Sequence, residues 1–175
     1  MKVNIALLTV TDTRNIKTDK SGGILVNKIK EANHNLVERK ICKDNKKDIK
    51  KILKKWTKKK NIDVVITTGG TGLTGRDVTP EALDEIADKH IPGFGEVFRY
   101  YSLETVGTSS IQSRACAVLA NGKYIFALPG SSGGVTDAWD KILIHQLDIN
   151  HKPCNFVELF PRLKEKYRKL IYFLL

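Results

Sequence analysis

Apolar positions along the chain change period several times, and each change marks a new element. Residues 3–11 form a β-rich apolar run closing on polar Thr11-Asp12-Thr13, the pattern of a buried strand that feeds a loop. Ser21-Gly22-Gly23 opens a helix in which Ile24, Leu25 and Ile29 recur near helical spacing, and Asn33-His34-Asn35 stops it. A second strand over residues 36–42 alternates less cleanly. From Asp44 the pattern turns helical: Ile49, Ile52, Leu53 and Trp56 fall at i, i+3, i+4 and i+7, with lysines on the remaining faces. Residues 62–67 are a short β-branched strand running straight into Thr68-Gly69-Gly70-Thr71-Gly72. Thr79-Pro80 starts another helix, with Thr79 as N-cap and Pro80 at the first helical position.

In the second half, a helix runs through Tyr101 after Pro92-Gly93-Phe94-Gly95, and polar residues 108–114 lead into a strand over 115–120. Asn121-Gly122 is a hairpin signal that returns the chain through residues 124–128. Pro129-Gly130-Ser131-Ser132-Gly133-Gly134 then opens a helix carrying Val135, Ala138, Trp139, Ile142 and Leu143. Strands alternating with helices predict an α/β fold: a mostly parallel open sheet with helices on both faces and one late antiparallel hairpin. Right-handed crossovers put every strand-to-helix loop at the carboxyl edge of the parallel strands, where open α/β sheets bind ligands. Residues 11–14, 43–45, 68–77 and 130–134 are expected to meet there.

Composition narrows the class. At 175 residues and 41% hydrophobic, the chain reads as one domain. Apolar stretches stay well short of the roughly 20 residues that span a bilayer, and the opening residues lack a signal peptide's basic lead and cleavage site. A soluble, cytoplasmic protein with no membrane partner is expected. Cys42, Cys116 and Cys154 are widely spaced and form no CxxC pair, so they read as small buried hydrophobes. The four histidines show no ligand spacing. The net charge of +11 is local: residues 39–60 hold 12 Lys/Arg against two acids, leaving 18 basic and 17 acidic residues elsewhere. That excess reads as the solvated face of one helix, with steering of anionic substrates as the functional alternative. A nucleic-acid module built on residues 46–60 is the reading from another class, and nucleic acid is not the expected partner.

Two loops carry the chemistry. Thr68-Gly69-Gly70-Thr71-Gly72 lacks both the Walker ending and the GxGxxG spacing. Glycines there let successive amides turn toward one anion, and flanking threonines add hydroxyl donors; a plain tight turn is the alternative. Residues 130–134 sit where a helix begins, so free amides and the positive dipole end favour an anion, with ordinary capping as the competitor. Asp12, Asp44 and Asp77 each stand just past a strand end, among the phosphate donors. A divalent cation such as Mg²⁺ would reconcile those charges, whereas capping by Asp44 and loop-fixing by Asp77 would need no ligand.

The run Thr67-Thr68-Gly69-Gly70-Thr71-Gly72-Leu73-Thr74-Gly75-Arg76-Asp77-Val78-Thr79-Pro80-Glu81-Ala82 resembles the signature of the MoaB/MogA family of molybdenum cofactor biosynthesis proteins. Pro92-Gly93-Phe94-Gly95-Glu96, Ser110-Ile111-Gln112-Ser113-Arg114-Ala115, Leu128-Pro129-Gly130-Ser131 and Pro153-Cys154-Asn155-Phe156 follow in family order, so the resemblance covers about residues 3–160. That extent implies a division into a domain over residues 1–160 and a C-terminal tail over 161–175. The Pro129-Gly130-Ser131-Ser132 loop and the Pro-Cys-Asn-Phe ending are closer to the MoaB branch. The resemblance implies a molybdopterin-binding fold, a homotrimer or hexamer, and Mg²⁺-dependent transfer of adenylyl from ATP to molybdopterin with release of pyrophosphate. It implies catalytic and metal-holding roles for Asp44 and Asp77, and places Gly69, Gly70, Thr71, Gly72, Ser110, Ser113, Arg114, Gly130 and Ser131 in the substrate pocket. From the residues alone, Arg114 is either a bidentate phosphate ligand or one arm of a structural ion pair. A non-catalytic molybdopterin-binding or carrier protein of the same pathway is the alternative to the enzyme. The apolar residues 170–175 lie outside the resemblance, with packing on a neighbouring subunit or disorder as the alternatives.

Overall fold

The computed structural model describes residues 1–165, so the apolar residues 170–175 lie outside the described residues. The chain runs β1 (Asn4–Val10), α1 (Lys20–Glu31), β2 (Asn35–Cys42), α2 (Lys46–Thr57), β3 (Val64–Thr68), α3 (Thr79–Asp84), β4 (Lys89–His90) and α4 (Pro92–Val106). A 3-10 segment, Gly107–Gln112, leads into β5 (Cys116–Ala120) and β6 (Lys123–Leu128). Next, α5 (Ser132–Ala138) passes through a π-helical turn, Trp139–Leu143, into α6 (Ile144–Gln146), and a 3-10 segment, Val157–Arg162, crosses residue 160.

The strands pair in the order β2-β1-β3-β6-β5-β4. The first four are parallel, β5 is antiparallel to β6, and β4 is antiparallel to β5. The α/β sheet expected from the pattern is present, with the two-residue β4 added at the antiparallel edge. The hairpin turn has Asn121 at φ 50° and Gly122 at φ 68°, the left-handed pair that a two-residue turn between twisted strands requires.

Both faces of the central strands are covered, which explains why their sequences are unbroken apolar runs. Ile5, Leu7, Val64 and Ile66 pack with Leu25 and Ile29 of α1, Phe94 and Phe98 of α4, and Val135 of α5. Ala6, Leu8, Val10 and Val65 pack with Ile49, Leu53 and Trp56 of α2 and with Ala82 and Leu83 of α3. The lysines of α2 therefore face outward, as its stripe predicts. Part of their charge is paired, Lys46 and Lys50 meeting Glu85; outside the helix, Lys59 and the β2 residue Lys40 meet Glu38.

Four local expectations change. Asn45, not Asp44, caps α2, its Oδ1 accepting from the amides of Lys47 at 2.9 Å and Asp48 at 3.3 Å. Thr79 does not cap α3. The helix begins at that residue after Val78, and its hydroxyl donates instead to the Gly69 carbonyl at 2.9 Å. Helix α4 takes in Pro92 itself, because proline suits the first helical turn. Cys154 is exposed, and only Cys42 and Cys116 behave as enclosed thiols, pushed up by burial to about 12 and about 11. Among the described residues no helix is long and apolar enough to cross a membrane.

Candidate functional site

Parallel β1, β3 and β6 end together, so the loops that leave them must share one edge of the sheet. The amide of Gly69 donates to the Leu128 carbonyl at 3.0 Å, and the Thr68 hydroxyl donates to the Pro129 carbonyl at 2.7 Å. These bonds hold the two glycine loops side by side. A Cβ on Gly130 would stand only 3.3 Å from the Gly69 Cα.

The first loop needs its glycines. Gly69 and Gly70 have φ of 100° and 65°, a region that side chains enter with strain. A side chain on Gly69 would run into the Val10 carbonyl oxygen, and one on Gly70 would meet the Thr79 hydroxyl and come within 2.9 Å of Asp44 Oδ1. Thr79 secures the same turn from below, its amide donating to the Gly70 carbonyl at 3.0 Å. Further along, Asp77 Oδ2 accepts from the Thr74 amide at 2.9 Å and from its hydroxyl at 2.6 Å.

Two hollows open beside this edge. One, of about 250 Å³, is polar and is lined by Asp12, Arg14, Asp44, Gly69, Gly70, Arg76, Asp77 and Gly130, among others. The other, of about 940 Å³, is more apolar; Phe98, Val106 and Pro129 contribute to its walls, together with Gly70, Thr71, Gly72, Asp77, Ser110, Ser113, Gly130 and Ser131. Gly70, Asp77 and Gly130 belong to both and form the partition between them. Ser131 caps α5 by accepting from the Gly134 amide at 3.1 Å. No helical turn precedes the Ser132 and Gly133 amides to bond them at the cavity wall.

Every residue expected at the site lines one hollow or the other except Arg114. That guanidinium donates through Nε to the Gly72 carbonyl at 2.7 Å, through one terminal nitrogen to the Asp77 carbonyl at 2.7 Å, and through the other to Glu81. Its own amide donates to the Thr71 carbonyl at 3.0 Å. Arg114 thus clamps residues 71–81, and of the two readings open at the outset the geometry matches the structural ion pair.

The two aspartates of the polar hollow, Asp44 and Asp77, are pushed in opposite directions. Burial raises the Asp44 carboxyl; the Val78 amide opposes that, and the nearby charges of Asp77 and Asp12 raise it further. For Asp77 burial acts the same way, but the Thr74 hydroxyl and amide, the Gly72 amide and Arg114 together outweigh it and hold the group below its usual value. Such divergence between neighbouring carboxyls is common where chemistry is done.

Asp19 was not singled out from the sequence. Its side chain, whose partner Thr9 lines the polar hollow, is fully buried. It takes hydrogen bonds from Thr9 Oγ1 at 2.6 Å, the Gly22 amide at 2.9 Å and Arg39 at 3.0 Å, tying β1, α1 and β2 together. Burial works to raise its carboxyl, and those three partners lower it overall. Asp19 just ahead of Ser21-Gly22-Gly23 is an N-cap signal that sequence reading can recognise; Arg39 as its partner has no such local mark.

An α/β sheet whose carboxyl edge gathers two glycine loops, acidic side chains and an apolar cavity belongs to the class of open α/β folds built to take a ligand at that edge. The chain is a member of the molybdopterin-binding family: the family model described as a probable molybdopterin binding domain matches residues 6–149. It is 45% identical over 161 residues to molybdenum cofactor biosynthesis protein B of Escherichia coli (strain K12), covering 92% of this chain and 93% of that one. A crystal structure of a molybdenum cofactor biosynthesis protein B superposes with a TM-score of 0.82 at 43% identity, over 84% of this chain and 92% of that chain. The tungsten cofactor synthesizing protein MoaB from Pyrococcus furiosus follows with a TM-score of 0.73 at 34% identity, over 81% and 91%.

Proposed function

We propose that this chain acts in molybdenum cofactor biosynthesis, in the cytoplasm where ATP is kept, by adenylylating molybdopterin. An oxygen of the pterin phosphate attacks the α-phosphorus of ATP, a new P–O–P bond forms, the α–β bond breaks, and pyrophosphate leaves. One observation carries the reading: the apolar hollow and the polar hollow share Gly70, Asp77 and Gly130 as a common wall. A ring system in the larger space and a triphosphate in the smaller would bring their phosphates together at that wall, and positioning of this kind supplies much of phosphoryl-transfer catalysis. The Gly70 amide, next along the turn from the Gly69 amide that is bonded to Leu128, stabilises charge that develops between the two phosphates, and no protein nucleophile is required.

Among the described residues no group of three or more His, Cys, Asp or Glu side chains is arranged to hold a metal by itself. Mg²⁺ does not need one, because one or two carboxylates plus substrate phosphates suffice. Asp44 and Asp77 fit as those carboxylates. They are hard oxygen donors on one hollow, and the upward push on Asp44 from burial, Asp77 and Asp12 marks negative charge in want of a counter-ion. When bound, the ion would offset the charge of the triphosphate.

The test is pyrophosphate release from ATP, Mg²⁺ and molybdopterin, and a silent assay overturns the reading. Asp77→Asn is expected to lower kcat by at least about a hundredfold with pterin affinity retained. A non-catalytic carrier would be indifferent to that change. The same reading includes a homotrimer or hexamer. Tyr100, Leu103 and Val106 recur every third residue along α4 and, with Ile111, stay exposed, which supports burial against another copy. Sedimentation showing only monomer at micromolar concentration would count against assembly.

A further inference from the structure

The larger hollow is lined by two carboxylates, Asp77 at the partition and Asp137 on α5. Asp77 is occupied by Thr74 at the loop side, and Asp137 has much less to satisfy it. Only 15% of the Asp137 side chain is exposed. Its Oδ2 accepts from the Thr105 hydroxyl at 3.0 Å. The cation nearest it in the same helix, Lys141, stands 3.8 Å from Oδ1, beyond hydrogen-bond range, and is bonded at 2.8 Å to Glu104 instead. An ionised carboxylate offers about four acceptor sites. Asp137 therefore keeps most of its acceptor capacity for a donor from the cavity.

We infer that Asp137 is the residue that selects the pterin, by accepting two hydrogen bonds from its 2-amino-4-oxo edge; the inference rests on the larger hollow being the pterin compartment. A pterin carries its ring N3–H and one hydrogen of the 2-amino group side by side and parallel. That pair matches the two oxygens of a carboxylate in the way an arginine fork does. The position agrees. Asp137 is five residues into α5 from Ser132, about 7.5 Å at the helical rise, so a ligand with its phosphate at the Gly70 and Gly130 wall lays its ring along α5 toward the carboxylate. Phe98, Val106 and Pro129 supply apolar surface for the ring.

The experiment compares 6-hydroxymethylpterin with 6-hydroxymethyllumazine, which has a carbonyl in place of the 2-amino group, by fluorescence titration of the intact protein. The wild type is expected to prefer the pterin by at least about tenfold, since the lumazine sets a carbonyl oxygen against Asp137. Asp137→Asn is expected to weaken pterin binding by about ten- to a hundredfold and to abolish the preference, while leaving thermal stability and MgATP binding unchanged. Asp137→Glu should recover the preference in part. A wild type that binds both probes equally overturns the inference without any variant, and so does Asp137→Asn with the wild-type preference intact. In both cases the pterin reading of the cavity stands. A wild type that binds neither probe brings down the two together.

Discussion

The two glycine loops at the carboxyl edge share a composition and differ in how they are held. Residues 68–77 are fastened from every side: Thr79 bonds Gly69 and Gly70, Arg114 reaches Gly72 and Asp77, and two consecutive residues have positive φ. Residues 130–134 are the opening of a helix with one serine cap, and a Cβ on Gly133 would meet nothing within 4 Å. The first loop is a built cradle that must keep one shape. The second presents amides that any helix start would present, and Gly133 leaves room for a ligand, although Gly130 and Gly134 are closed in by Gly69 and by Ser131 and Pro129.

The largest effect should come from forcing a side chain into the first loop. Gly69→Ala is expected to destabilise the protein by about 2–4 kcal/mol in urea unfolding, from positive-φ strain plus the clash with the Val10 carbonyl, and to abolish ligand binding. Gly133→Ala is the counterpart, expected to leave binding intact and to raise stability by about 0.5 kcal/mol through the unfolded chain. Equal effects at the two positions would erase the contrast between the loops.

Next in size is the clamp. Arg114→Lys keeps the charge and loses the planar fork that reaches two carbonyls and Glu81 together. A loss of about 2 kcal/mol, with pterin affinity down about tenfold, is expected from calorimetry on the variant. Unchanged stability with weaker phosphate binding would instead make Arg114 a direct ligand. On the second loop, Ser131→Ala removes only a cap, and about 1 kcal/mol is the expected cost.

The same contrast explains how far the sequence could be read. Periodicity records burial, so β1, β3, the buried stripe of α2 and the meeting of four loops at one edge were all legible. Polar pairings across the fold leave no periodic trace. Asp44 and Asn45 are equally plausible caps by type, and only the backbone at Asn45, φ −131° and ψ 120°, decides for the latter. Thr79 ahead of Pro80 has the form of a cap, yet its hydroxyl goes to a residue ten positions earlier. Arg114 reaches carbonyls 42 and 37 residues back, and Arg39 reaches Asp19 across 20. The two-residue β4 is too short for any pattern and exists because β5 offers it an edge.

The smallest expected effect is the most diagnostic of the first loop. Asp44, released from capping, stands beside Gly70 with its carboxyl raised by burial and by Asp77 and Asp12. A group raised in the folded state favours folding at low pH, where it is protonated, and that contribution is lost as pH climbs from its ordinary value of 3.8 through its folded one. At neutral pH the wild type carries an unfavourable charge that Asp44→Asn removes, and the amide oxygen can still accept from Val78. The variant should therefore melt slightly above wild type near about pH 7, with the difference shrinking toward about pH 4, while adenylyl transfer is lost. A variant that melts below wild type at neutral pH would mean that Asp44 is held for stability rather than kept, against stability, for a cation and a phosphate chain.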